Sequence, residues 1–342
     1  MIKKVAIIVF LLVCIGGFFG YRFYHKIYGK NVTETTFLYI PTGSNFDTLT
    51  KRIKPYVKSI ENFQWVAKKK SYQDKIRSGK FKITEGMSND ALINHLRAGK
   101  QETVNVTFNN QDTFEKLAGR IASQIEADSI ALLTSFQDSK FLQDNNLDRK
   151  TAIAMFIPNS YDLYWNTSAE NFRDRMLKEY QRFWTPERIE KAKKQNITPL
   201  QVSILASIVQ KETATVSERP MVAGLYLNRL KSFWPLQADP TIIFALKEKY
   251  GQDTIFKRVL KEDLTIDSPY NTYLNFGLPP GPIGMPDISS IEAVLSPKNH
   301  DYYYMCASVT NIGQHEFAKT LSQHNVNARK YQNWISQQGI NR

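Results

Sequence analysis

The chain has 342 residues, 42% of them hydrophobic and 23% charged, with a formal net charge of +13. That composition excludes a disordered chain, and the length suits two compact domains beside an anchor. Its two cysteines, Cys14 and Cys306, exclude a disulfide framework and a cysteine-based zinc site. The basic residues are dispersed rather than clustered. They make a solvated surface that suits an anionic polymer, including one that carries peptide carboxylates. With no zinc-finger spacing and no aromatic RNA-binding signature, nucleic acid is not expected as a partner.

After Lys3 and Lys4, the stretch Val5 to Tyr21 is free of charge, followed by Arg22, His25 and Lys26. Those ~17 residues are at the lower limit for crossing a bilayer as a helix. A cleaved signal peptide is the competing reading, but it would leave a mature chain starting with exposed Gly-Gly-Phe-Phe. A lipoprotein signal is disfavoured by Val13 ahead of Cys14. The expectation is a retained transmembrane anchor over 1–22 and a polar, basic stalk over 23–35. Basic residues flank both ends, so charge alone does not orient the anchor.

Residues 36–110 read as a small α+β module. Phe37, Tyr39 and Ile40 form a strand ahead of the turn Pro41-Thr42-Gly43, and Phe46, Leu49, Ile53 and Tyr56 recur at helical spacing. Lys80 to Ile83 alternate as a strand. Ser88 caps a helix that carries Asp90 in its first turn and Leu92, Ile93 and Leu96 on its apolar side, with Gly99 as its stop. Val104, Val106 and Phe108 alternate as a closing strand. The module is either a spacer or a glycan-binding unit, and no residue in it decides between them.

Residues 111–342 read as a larger, mostly helical domain, with helices predicted over 113–126, 168–184 and 186–195. Thr198-Pro199-Leu200-Gln201 is a strong helix start, with proline at the first position and glutamine in the capping-box place. That helix sets Ile204, Ile208 and Glu212 four residues apart on one apolar face. Desolvation and the C-terminal dipole would push the Glu212 carboxyl upward, as a general acid requires, while Lys211 would pull it down. A fraying helix end with its carboxylate in water is the competing reading. Glu218 is either a second carboxylate for a paired mechanism or a charge at a helix N-terminus. Asp239 and Pro240 look like N-cap and first position of another helix, and Gln237 offers a sugar-binding amide. Tyr270-Asn271-Thr272-Tyr273 and Gly277 to Pro282 form a loop whose aromatic and amide groups suit a sugar cleft, although rigid surface loops look similar. His315 and His324 are too far apart to make a metal pair, and HExxH, GxSxG and GxxxxGK[ST] are all missing. No metal and no cofactor are therefore expected.

Several separated motifs occur in order. They are Leu205-Ala-Ser-Ile-Val-Gln-Lys-Glu-Thr213, Ser217-Glu-Arg-Pro220, Val222-Ala223, Asn228-Arg229-Leu230, Leu236-Gln-Ala-Asp-Pro-Thr241, Tyr270-Asn-Thr-Tyr273, Gly277-Leu-Pro-Pro-Gly-Pro-Ile283, Ser290-Ile-Glu-Ala293 and His315-Glu-Phe317. Together with Thr320-Leu321 and His324-Asn325 they resemble the endolytic murein transglycosylase (YceG-like, MltG) family, densely from about 199 to 327. Ser78-Gly-Lys-Phe81 and Gly86-Met-Ser88 resemble that family's LysM-like subdomain.

The resemblance implies an α+β protein made of a single transmembrane helix, a LysM-like subdomain over 36–110 and a catalytic domain over 111–342. It implies Glu212 as the catalytic acid, acting alone on the bond between N-acetylmuramic acid and N-acetylglucosamine and leaving 1,6-anhydro ends. Ser217, Glu218, Gln237, Asp239, Tyr270, Asn271, Tyr273 and His315 are the expected substrate-binding residues. The chain departs from the family at Gln210, where an acid is usual, at Ala238, and at Gly284-Met285-Pro286-Asp287. The remaining alternatives are a muramidase in which Glu218 or Asp239 activates water, and a non-catalytic glycan-binding scaffold. The expected partners are glycan strands, the inner membrane and cell-wall synthesis proteins, with the large domain on the extracytoplasmic, periplasmic side.

Overall fold

A computed structural model describes residues 2–256 and 258–337. The chain divides into two units, Met1–Val106 with Ala122–Ala127 and Tyr161–Ser168, and Thr107–Ile121 with Asp128–Ser160 and Ala169–Arg342. Both mix helices and strands.

The first helix, α1 (Ile2–Tyr28), is long and apolar enough to cross a membrane. It runs past Arg22 into the segment read as a stalk, so only residues 29–35 of that segment are non-helical. From Ile2 to Phe19 its large apolar side chains are exposed, which in water would be costly and in a lipid core is not, while Phe23 nearer its end packs on Trp65. Next come β1 (Thr36–Ile40), α2 (Phe46–Ile53), α3 (Ile60–Lys69), β2 (Gly79–Ile83), α4 (Asn89–Ala98) and β3 (Thr103–Phe108). β1 and β2 pair antiparallel, with Leu38 opposite Phe81. Alternation sends Leu38, Ile40, Phe81 and Ile83 to one side, where they meet Leu49, Ile53, Phe63, Leu92 and Leu96. The expected start and stop of α4 are both present. The Ser88 side chain accepts the Ala91 N–H, and Gly99 ends the helix at φ +68°. A buried amide pair ties the end of α1 to this core: Asn89 donates to the Lys26 carbonyl and accepts from Asn31 at 2.7 Å.

Beyond β3 lie α5 (Phe114–Ala122), α6 (Ser129–Phe136), α7 (Ser139–Asp144) and β4 (Asn159–Tyr164). α5 stops four residues before the expected 126. There the chain leaves the helix so that the Glu126 N–H reaches the Trp165 carbonyl and its carboxylate accepts from Thr42. β3 pairs with β4.

The second unit is built on α8 (Ala169–Phe183), α9 (Pro186–Lys194), α10 (Pro199–Glu212), α11 (Arg219–Lys231), α12 (Asp239–Tyr250) and α13 (Ile288–Leu295). It ends with the antiparallel pair β5 (Tyr304–Ala307) and β6 (His315–Ala318), and then α14 (Leu321–Gln337). The capping box at Thr198 and Gln201 is present in both directions. From Val202 to Val209 every residue of α10 is buried, so the helix is enclosed on all sides rather than amphipathic as the spacing argument had it. The helices α9, α11, α12 and α13 surround it, which is why Ser203 and Ser207 turn their hydroxyls back onto its own carbonyls.

Candidate active site

Glu212 is the last residue of α10, and the chain turns extended at Thr213. The helix therefore carries the carboxylate out of a solid apolar core to a point where part of its surface is open. Its Oε1 accepts a 2.5 Å hydrogen bond from the hydroxyl of Tyr226 on α11. Burial pushes the Glu212 carboxyl up, and Asp239 adds to the push; the Tyr226 bond, His315 and Arg229 pull it down. Burial wins, and the carboxyl is pushed up to about 7. The Tyr226 phenol is driven well above its ordinary value by burial and by Glu212, so it stays a donor.

Arg229, one turn of α11 beyond Tyr226, is buried and donates to the Tyr303 and Leu236 carbonyls. Its guanidinium supplies positive charge to the Glu212 carboxyl and to the Tyr226 and Tyr273 phenols. Tyr226 and Arg229 were not read as site residues from the sequence. Tyr226 sits inside an apolar run and looks like core, and the one signal was an arginine within a helix that is otherwise buried.

Glu218 closes a short 3-10 turn, Val216–Glu218, and α11 starts after it at Arg219. The Glu218 carboxylate does not cap α11; it accepts the backbone N–H of His315 at 2.6 Å and faces the ring Nδ1 at 3.0 Å. With Nδ1 donating to that carboxylate, Nε2 of His315 has no hydrogen-bond partner among the described residues. Ser217 is exposed beside this pair.

Asp239 is the first residue of α12 and Ala238 is the N-cap, with no side-chain cap. The expected Asp239 cap is corrected: its carboxylate accepts the Tyr273 hydroxyl at 2.5 Å instead. Burial, the Asp239 bond and Glu212 all raise the Tyr273 phenol. Gln237 is exposed at φ +51°, its N–H bonded to the Thr272 carbonyl. Tyr270 and Asn271 lie inside. The Tyr270 ring packs on Phe244 at 4.5 Å, and the Asn271 amide donates to the Leu264 and Ile266 carbonyls while its oxygen accepts the Tyr273 N–H. Both therefore shape the loop that presents Tyr273. Among the expected residues, Glu212, Asp239, Tyr273 and His315 are coupled electrostatically through the Glu212 and Tyr273 carboxyl and phenol, whereas Tyr270 and Asn271 have no open polar surface.

Gln210, where the family pattern has an acid, accepts the Asp287 N–H and donates to the Met285 carbonyl. An amide can do both and a carboxylate only one, which explains the residue and places the unusual Gly284 to Asp287 stretch on its brace. Among the described residues no group of three His, Cys, Asp or Glu side chains converges as a metal site.

A family model described as the YceG-like family matches residues 38–330. A Bacillus subtilis (strain 168) protein named endolytic murein transglycosylase is 30% identical over 331 residues, covering 89% of each chain. A protein of the same name from Streptococcus pneumoniae serotype 2 (strain D39) is 28% identical over 362 residues, and the match takes in 96% of this chain and 65% of that one. The crystal structure of a YceG-like protein from Listeria monocytogenes superposes with a TM-score of 0.57 at 26% identity, over 85% of this chain and 98% of that one. With most of its length matched and the ordered motifs around Glu212 in place, the chain belongs to the YceG-like family.

Proposed function

We propose that the chain is a membrane-anchored lytic transglycosylase that cuts peptidoglycan strands internally, with Glu212 as its sole acid and base. The observation that carries this reading is a carboxyl poised near neutrality, with one oxygen held by Tyr226 and the residue still partly open. The printed name of the curated relatives supports the substrate and reaction class.

In this mechanism protonated Glu212 donates its proton to the oxygen between N-acetylmuramic acid and N-acetylglucosamine as the C1–O bond breaks. The carboxylate that results takes the proton of the muramyl 6-hydroxyl, whose oxygen bonds to C1 and closes the 1,6-anhydro ring. No water is consumed, and Glu212 ends reprotonated. The neighbouring hydroxyl is held at high effective concentration by the ring itself, so a second carboxylate is not required. Tyr226 steadies the carboxylate in the middle of this cycle. Ser217 and Gln237, both exposed, and Nε2 of His315 are offered to sugar hydroxyls and amides.

One observation favours a second reading. Asp239 is exposed, is oriented by Tyr273 and is felt by Glu212, so it is the better of the two candidate carboxylates for activating water in a muramidase. Glu218 is the weaker candidate because His315 occupies both its oxygens.

In the cell, α1 spans the cytoplasmic membrane with the second unit outside it. Residues 36–110, with the β1–β2 pair, serve as the LysM-like module, and glycan strands and wall-synthesis proteins are the partners. Incubating the purified chain with uncrosslinked glycan strands and weighing the products tests the reaction. Fragments one water lighter than reducing ends support the transglycosylase, reducing ends support the muramidase, and uncut strands leave a binding scaffold.

A further inference from the structure

Where α1 leaves its apolar stretch, the first unit holds an open cavity of about 550 Å³ between that helix and α3. Arg22, His25 and Lys26 line it from α1 together with Phe19 and Phe23, and Trp65 closes it from α3. Phe23 meets the Trp65 ring edge-on at 5.1 Å, and the Lys26 and Lys69 ammonium groups stand 4.5 Å and 5.8 Å from the ring centroid. An indole carries no net charge, so a cation held on its face keeps N–H donors for an anion. Among the described residues no carboxylate lines the cavity, and no ion pair engages Arg22, Lys26 or Lys69. Glu61, which precedes the lining residue Asn62, accepts the Ser59 hydroxyl at 2.9 Å, and Asp90 is taken by Lys70.

The level of the cavity along α1 identifies what meets it. Val5 to Tyr21 covers about 25 Å at 1.5 Å per residue, slightly under a hydrocarbon core of ~30 Å, so Arg22 to Lys26 stand among headgroups when the helix spans a bilayer. Phe19 then lies at the acyl boundary, and Phe23 and Trp65 sit at the interfacial level that aromatic rings favour. We propose that this cavity binds the phosphate of an anionic phospholipid headgroup, held by Arg22 and Lys26, with its acyl chains running down α1 past Phe19. A zwitterionic headgroup brings its own cation into a site already lined by basic side chains, so the cavity discriminates between lipids by charge. The bound lipid ties residues 36–110 to the leaflet they face. This rests on the reading of α1 as a membrane span and on nothing in the chemistry at Glu212.

The test uses the full-length chain in a non-ionic detergent, offered equal amounts of phosphatidylglycerol and phosphatidylcholine with the same acyl chains, and counts the retained lipids by native mass spectrometry. The parent should retain phosphatidylglycerol in preference. Arg22→Gln and Lys26→Gln should each cut that preference about fivefold, the effect of one cation at a membrane surface. Arg22→Gln is the more telling of the two, because Lys26 also packs on Trp65. Replacing Lys3 and Lys4 together by glutamine, at the far end of α1, should leave the preference at the parent's value. Glycerol phosphate in excess should not displace the lipid. Equal retention of the two lipids by the parent overturns the site, as does a loss in the Lys3 and Lys4 variant as large as in Arg22→Gln. Displacement by glycerol phosphate overturns the lipid as the ligand. A parent that fails to sediment with phosphatidylcholine vesicles refutes the membrane span itself, whereas one that sediments and shows no preference refutes the site alone.

Discussion

Glu212 and Glu218 lie close together in sequence, and each sits at the end of a helical segment in the same unit, yet their surroundings differ. Glu218 has both oxygens met by donors from His315, one from the backbone and one from the ring. Glu212 has a single donor among the described residues, Tyr226, against a large desolvation. Two donors make a carboxylate an anchor for a neighbouring side chain. One donor and a buried position make it a group that can hold a proton near neutrality and give it up. The number of donors therefore separates the two roles better than burial does.

The largest expected effect that sharpens this contrast is on activity. Glu212→Gln keeps the size and the Tyr226 contact but removes the acid, and strand cleavage should fall by roughly 10²–10⁴-fold while circular dichroism stays that of the parent. Glu218→Gln leaves the acid in place. It should lower stability by about 1–3 kcal/mol, read from urea unfolding, because a buried acceptor for the His315 N–H and ring is weakened. It should slow cleavage less than Glu212→Gln does. If Glu218→Gln is the more damaging to catalysis, the contrast is reversed.

Two smaller effects concern pH. Catalysis needs protonated Glu212, so activity should fall as pH rises through about 7. Tyr226→Phe removes a bond that lowers the Glu212 carboxyl, so this alkaline limb should move to higher pH. The same shift is a stability effect with a definite sign. Below the ordinary value of 4.5 the carboxyl is protonated whether the chain is folded or not. Between 4.5 and about 7 the unfolded chain ionises and the folded one does not, so stability is lost as pH rises through that window. Above it the cost is constant, on the order of 2 kcal/mol once partial exposure is allowed for. Glu212→Gln should therefore be more stable than the parent at pH 8 and equal to it at pH 4, by thermal melts at both.

Much of the scaffold was legible because its signals are local. The capping box at Thr198 and Gln201, the Ser88 cap and the Gly99 stop each depend on a few neighbouring residues, and all three are present. Glu212 could be singled out by its spacing from Ile208 and by the motifs around it. The partners were not legible, since Tyr226 reaches it from another helix and nothing in α11 distinguishes a phenol that meets a carboxylate from one that fills a core. Asn271 shows the opposite difficulty. An amide among aromatics suggests a sugar site, but a buried loop has its own carbonyls to satisfy, and Leu264 and Ile266 take both of its donors. Asp239 was read by local rule as a cap, whereas the Tyr273 hydroxyl, brought in by that same loop, claims its carboxylate.

The most direct measurement is a carbon NMR titration of the Glu212 side-chain carboxyl, assigned by its loss in Glu212→Gln. The expected result is a midpoint near 7 in the parent, rising in Tyr226→Phe. A midpoint near the ordinary 4.5, unmoved by Tyr226→Phe, would contradict the claim that this buried carboxyl is the proton donor.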